Sequence, residues 1–151
     1  MRSVGEGGQV TISDERCSFV FRRIRPGVLE IHASGTDSGQ FGTAPLDEIA
    51  TNLVRERPLE LFVDAAEASM PAVKVSQEWT RFIALNQKDL TRVSVLVSSK
   101  SVALTMAIAQ HLSNTGKLMQ IYSDRELYEA RKNSGGMSTP PAAGQPPRSP
   151  G

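Results

Sequence analysis

Apolar and polar residues alternate in short runs along the first third of the chain, then give way to a helical period beyond Pro45. Gln9 to Ser13 alternates briefly and reads as a first strand, and Cys17 to Arg23 is apolar and aromatic enough for a second. Pro26-Gly27 is turn chemistry, so Val28-Leu29-Glu30-Ile31-His32-Ala33 reads as the returning strand of a hairpin. Gly35, Gly39 and Gly42 then mark a permissive loop. Leu46, Ile49, Ala50, Leu53 and Val54 form one apolar helical stripe that opens near Pro45 and stops before Pro58. Leu59 to Ala65 is a compact apolar strand of the kind buried inside a sheet.

Ala66 to Pro71 reads as a loop, followed by a helix carrying Val75, Trp79, Phe82 and Ile83. Arg92 to Ser98 is another strand, Val102 to Leu112 a third helix ending before Gly116, and Lys117 to Tyr122 a short strand. Ser123-Asp124-Arg125-Glu126 has the form of a capping box, which starts a last helix running to Lys132. The order β-β-β-α-β-α-β-α-β-α predicts an α/β domain with crossover units, a mainly parallel sheet and an antiparallel hairpin at its N-terminal edge.

The ends differ in composition from this middle. Residues 133–151 hold five prolines and four glycines and no aromatic, too little apolar surface to offset the entropy of ordering. The expected organisation is a flexible end over 1–8, one domain over 9–132 and a disordered Pro/Gly-rich tail over 133–151. The whole chain has 17 Lys+Arg against 16 Asp+Glu, a net charge of +1, which gives no footprint for nucleic acid. The cluster Arg22-Arg23-Ile24-Arg25 reads as the solvated end of a strand and turn. A single cysteine, Cys17, excludes an intrachain disulfide and suits a reducing compartment. It opens an apolar run, the setting of an inert buried thiol. No apolar run is long enough to span a membrane and the N-terminus lacks a secretory signal, so the expected address is cytoplasmic.

Chemistry is sparse. No G-x-G-x-x-G, Walker-type loop or G-x-S-x-G elbow is present, and His32 and His111 belong to no metal-ligand spacing, so neither a cofactor nor a metal is expected. Asp64 is the most suggestive residue. It ends a buried strand, and ligands of open α/β sheets collect outside the carboxyl ends of strands. Glu67 follows as a second carboxylate, but no nucleophile or third ligand accompanies the two, so Asp64 reads first as a cap for the following loop. Ser69 lies just ahead of the Trp79 helix, and Ser98, Ser99 and Ser101 follow the next strand. Hydroxyls in such places cap helices and are also sites for an added phosphate.

The chain resembles the STAS-like family, the sporulation anti-sigma-factor antagonist domains, some of which are compared with CRAL-TRIO lipid-transfer domains. The resemblance runs from about Phe19 to Lys132. It rests on the hairpin Phe21 to Ile31, the strand Leu59 to Asp64, the helix at Ser76-Gln77-Glu78-Trp79, the strand Val93 to Val97 and the closing Ile121 to Ala130. It implies a four- to five-stranded mixed sheet with about four helices, mainly on one face, and a role in binding proteins, nucleotides or apolar ligands in place of catalysis, regulatory and signalling in character. The phosphorylation-switched members carry a D-S-x-G-type motif after the central strand, whereas this chain reads Asp64-Ala65-Ala66-Glu67-Ala68-Ser69-Met70-Pro71, so Ser69 is a phosphorylation candidate by position alone. The expected partner face is Asp64, Glu67, Ser69 and Met70. The expected function is a non-enzymatic protein-binding or self-associating module, with carriage of a lipid or other apolar ligand as the alternative.

Overall fold

The computed structural model describes residues 1–69, 71–98 and 117–134. The elements in chain order are β1 (Arg2–Val4), β2 (Val10–Ser13), β3 (Cys17–Arg25), β4 (Val28–Gly35), α1 (Ala44–Arg55), β5 (Leu59–Ala68), α2 (Val73–Leu85), β6 (Leu90–Leu96), β7 (Met119–Tyr122) and α3 (Arg125–Ser134). The helix expected over Val102 to Leu112 lies outside the described residues, as do His111, Ser99, Ser101 and all but two residues of the expected tail.

All seven strands join one sheet in the order β1-β2-β3-β4-β5-β6-β7. The expected four to five strands are therefore too few, and the sheet is evenly mixed where a mainly parallel one was expected. β1 through β4 pair antiparallel, and β4 through β7 pair parallel. Arg2–Val4, placed by composition in a flexible end, forms the edge strand β1 against β2. Its side chains are exposed, so no alternating pattern marks it. The Arg2 guanidinium bonds Glu48 of α1 at 3.1 Å, and the terminal amino group donates to the Ser13 carbonyl.

The parallel strands step in one direction across the sheet. Right-handed crossovers then place the β4–β5 and β5–β6 connections on a single face, and α1 and α2 lie together there. Leu46, Ile49 and Leu53 of α1 and Ile83 of α2 share one core with Phe19, Phe21, Leu29, Ile31, Leu61, Val63, Val93 and Val95 of the strands. Trp79 packs half-buried on this core, its ring stacked on Phe19 with centroids 6.1 Å apart. α3 follows the last strand and is no crossover, so no such rule binds it. It packs on the opposite face, where Tyr128 joins Val28, Phe62 and Leu96. The carboxylate that caps it belongs to Asp124, which accepts the Glu126 N–H at 2.8 Å, and not to the capping box read from Ser123.

Cys17 is buried, and burial, reinforced by the charges of Asp37 and Asp14, pushes its thiol up to about 11. It is an uncharged core group, as its surroundings in sequence indicate.

Because Trp79 is only half-buried, Trp79→Ala is expected to cost about 2 kcal/mol, short of the 3–5 kcal/mol typical of a fully enclosed tryptophan. Urea denaturation of the purified variant measures this directly. A loss under about 0.5 kcal/mol, the level of a surface change, would place Trp79 outside the core.

Candidate functional site

The second face of the sheet carries the charge. Strand alternation places Val20 and Arg22 of β3, Glu30 and His32 of β4, and Phe62 and Asp64 of β5 side by side, with Val20 opposite His32, Arg22 opposite Glu30, and His32 opposite Asp64. A register shift lies between β4 and β5 just beyond this point: His32 pairs with Asp64, but Ser34, two residues on, pairs with Glu67, three residues on. In a regular strand Asp64 and Glu67 would point to opposite faces. The extra residue turns both toward the same face, and His32 sits between them, Nε2 at 2.9 Å from Glu67 Oε1 and Nδ1 at 3.6 Å from Asp64 Oδ2.

Asp64 is buried and well supplied with partners. Arg125 of α3 meets it with two nitrogens, at 3.0 and 3.3 Å, and the Ala66 N–H donates to it at 3.2 Å. Burial pushes the carboxyl upward, but the Arg125 and Ala66 bonds, with the positive charge of Arg125 and the His32 interaction, outweigh it and hold the group below its ordinary value of 3.8. The cap expected of Asp64 is present in the Ala66 bond, and the larger role is the ion pair with a helix 61 residues away in sequence.

A second cluster lies beside the first. Buried Glu30 receives Arg22 at 2.9 Å, Lys132 at 2.7 Å and the Tyr128 hydroxyl at 3.4 Å. Burial and the nearby Glu30 charge raise the Tyr128 phenol, so it stays neutral and donates. Arg131 meets Glu60 at 3.2 Å. The arginines read as solvated are all engaged: Arg22 with Glu30, Arg23 with Glu56 at 3.3 Å, and Arg25 with the Lys132 carbonyl at 2.7 Å. Between the two clusters the sheet opens into a cleft of about 290 Å³ lined by Gln9, Val20, Arg22, Glu30, His32 and Asp64.

The four residues expected to form a partner face are thus divided. Asp64 is enclosed. Glu67 is exposed over 68% of its side chain while held by His32. Ser69 is exposed, and its N–H donates to the Gly35 carbonyl at 2.8 Å. Met70 lies outside the described residues. The segment from Ala66 to Ala68, expected as loop, continues β5, and only Ser69 to Ala72 connects to α2. Sequence reading missed His32, Arg125 and the Glu30 cluster. A signal was there, since Glu30, His32, Glu60 and Asp64 are the polar members of otherwise apolar strands. Their helical partners Arg125, Tyr128 and Lys132 recur at i, i+3 and i+7, but a charged stripe does not announce a packed face.

Among the described residues no group of three His, Cys, Asp or Glu side chains is placed to hold a metal ion. No described helix is long and apolar enough to cross a membrane.

No protein-family model matches the sequence, and no curated protein does. A solved structure does match, that of an uncharacterized protein of the DUF3478 family from Shewanella loihica PV-4 with a SpoIIAA-like fold. The two share 14% sequence identity and a TM-score of 0.55 over 79% of this chain and 97% of the other. The chain therefore has the SpoIIAA-like, STAS-like fold.

Since the folded-state carboxyl of Asp64 titrates below its unfolded value, its contribution is present above that value and is lost as pH falls through the folded one. The parent is expected to lose stability on acidification below about pH 4, the unfolded aspartate value, more steeply than Asp64→Asn. At pH 7 the asparagine variant is expected to be weaker by about 1–3 kcal/mol, the cost of an unmatched buried group. Denaturation midpoints of both proteins between pH 7 and pH 3 check this. Parallel curves would show that the Arg125 pair contributes nothing.

Proposed function

We propose that the chain is a non-enzymatic regulatory module of the bacterial STAS-like type, cytoplasmic, acting by contact with a protein partner at the carboxyl end of β5. One observation carries the reading: Glu67 and Ser69 are exposed but fixed, Glu67 by His32 and Ser69 by the Gly35 carbonyl. A fixed polar edge loses little entropy when a partner docks. The position also fits the general habit of open α/β sheets, which bind outside the carboxyl ends of their strands. A phosphoryl group on Ser69 would add about two negative charges close to Glu67, and the added bulk, charge and desolvation cost would disfavour a partner packed on the unmodified hydroxyl.

Carriage of an apolar ligand has less support. Among the described residues Ile31, Ile49 and Leu59, in the core that α1 and α2 share with the sheet, are fully buried. Of the six residues that line the cleft on the other face, all but Val20 are charged or polar. Such a lining suits a polar surface better than a lipid chain.

The test compares tagged full-length parent, Glu67→Arg and Ser69→Asp in extracts of cells that produce the protein, each first checked for an unchanged circular dichroism melt. The parent is expected to retain a specific protein that both variants lose by about tenfold or more, a change of about 1.4 kcal/mol in affinity. Equal retention by all three would remove this edge as the contact. Native mass spectrometry of the parent then addresses the apolar alternative, which a co-purified lipid would restore.

A further inference from the structure

The attachment of α3 to the sheet has an unusual make-up. A helix of ten residues does not hold itself together in water and depends on what it packs against. Of its residues only Tyr128 is buried, while Leu127 is 60% exposed. The rest of the attachment is ionic: Arg125 to Asp64, Arg131 to Glu60 and Lys132 to Glu30, with Arg25 donating to the Lys132 carbonyl. The three carboxylates are buried, whereas Arg125 is half-exposed. Pairs of this kind return little beyond the cost of desolvating the buried partner.

Three buried polar atoms without a hydrogen-bond partner fall at the same junction. They are the Nε atoms of Arg25 and Arg131, whose other nitrogens reach Lys132 and Glu60, and the hydroxyl of Ser94, next to Phe62 in the sheet. A contact held by one aromatic ring and several ion pairs, with unmatched polar atoms inside it, opens more readily than the apolar core on the other face.

We propose that α3 is a displaceable cover. The strip beneath it is an apolar row of Val28, Phe62, Leu96 and Tyr122 edged by Glu30, Glu60 and Asp64, and it docks a basic, aromatic-bearing helix of a protein partner in place of α3. Charge complementarity selects this occupant. Three carboxylates around an apolar row call for Lys or Arg near both ends of a helix and an aromatic between them, the arrangement α3 itself presents with Arg125, Tyr128 and Lys132. A partner helix also has room that α3 leaves unused, because the adjoining cleft shares Glu30 and Asp64 with the strip. The added contact offsets the advantage that α3 holds by being tethered to the sheet. This strip lies on the face of the sheet, and the proposal is independent of contact at the Glu67–Ser69 edge.

Hydrogen exchange on the full chain tests the cover. In Arg125→Gln/Arg131→Gln/Lys132→Gln, amides of residues 128–134 are expected to speed up by a factor about tenfold or more greater than any rise in β4 and β5, the pattern of a local opening. Leu127→Ala, on the exposed side of the same helix, is expected to leave exchange unchanged. Unaltered protection of α3 in the triple variant would overturn the proposal by showing that Tyr128 alone holds the helix. So would an equal rise across the sheet, which would make α3 an integral part of the fold. For the docking, a synthetic peptide of residues 124–134 at millimolar concentration is the probe, read by amide chemical shifts. Shifts at Glu30, Phe62 and Asp64 in the triple variant, weaker in the parent, are expected. Their absence from the triple variant would overturn the docking site. These shifts report on the strip alone, so they succeed or fail apart from the retention experiment on Glu67 and Ser69.

Discussion

The pairing of β4 with β5 is the contact on which both halves of the molecule depend. It joins the antiparallel half of the sheet to the parallel half, and it supplies the middle of both faces. Leu29, Ile31, Leu61 and Val63 form the centre of the larger core, and Glu30, His32, Phe62 and Asp64 the centre of the charged face. The register shift between His32 and Ser34 is what brings Asp64 and Glu67 onto one side. Gly35 closes the same strand in a left-handed conformation at φ +81°, so near the Arg16 carbonyl that a Cβ could not be placed there. β4 therefore ends against the start of β3 only because residue 35 is glycine, and the Ser69 N–H finds its carbonyl in consequence.

The two faces are stabilised by different physics. Under α1 and α2 the sheet is covered by close-packed aliphatic and aromatic groups, which contribute in proportion to the apolar area removed from water. Under α3 the cover is a small aromatic cluster of Phe62, Tyr122 and Tyr128, with edge-on rings 5.8 and 6.1 Å apart, ringed by ion pairs. Buried carboxylates need their partners, so each cation on α3 is required even where its pair adds little net stability. The first face provides the stability of the domain. The second keeps polar groups within reach of the surface.

That division fits a fold shared at 14% identity. A STAS-like sheet can be specified by apolar alternation and crossover geometry that many sequences satisfy. A fold of this kind carries no function by itself, and the proposed partner contacts rest on Glu67, Ser69 and the strip under α3.

The sequence by itself determined the strands β2 to β6, the helices α1 and α2, the core stripe of Leu46, Ile49 and Leu53 and the inert setting of Cys17, because each of these is written in local periodicity and turn chemistry, while the STAS-like fold was legible as a family resemblance. It also marked Asp64 and Glu67 as a pair worth attention. It did not disclose β1, whose three exposed residues carry no pattern, nor the continuation of β5 through Ala68, where small residues read as loop. Only the tertiary structure decided that His32 stands between the two carboxylates, that Arg125 and Lys132 are partners of Asp64 and Glu30, and that α3 lies on the face opposite α1 and α2. The physical reason is separation along the chain. These contacts join residues 32 to 102 positions apart through a one-residue shift in strand register and a helix free of the crossover rule, and neither leaves a trace in the period of the residues themselves.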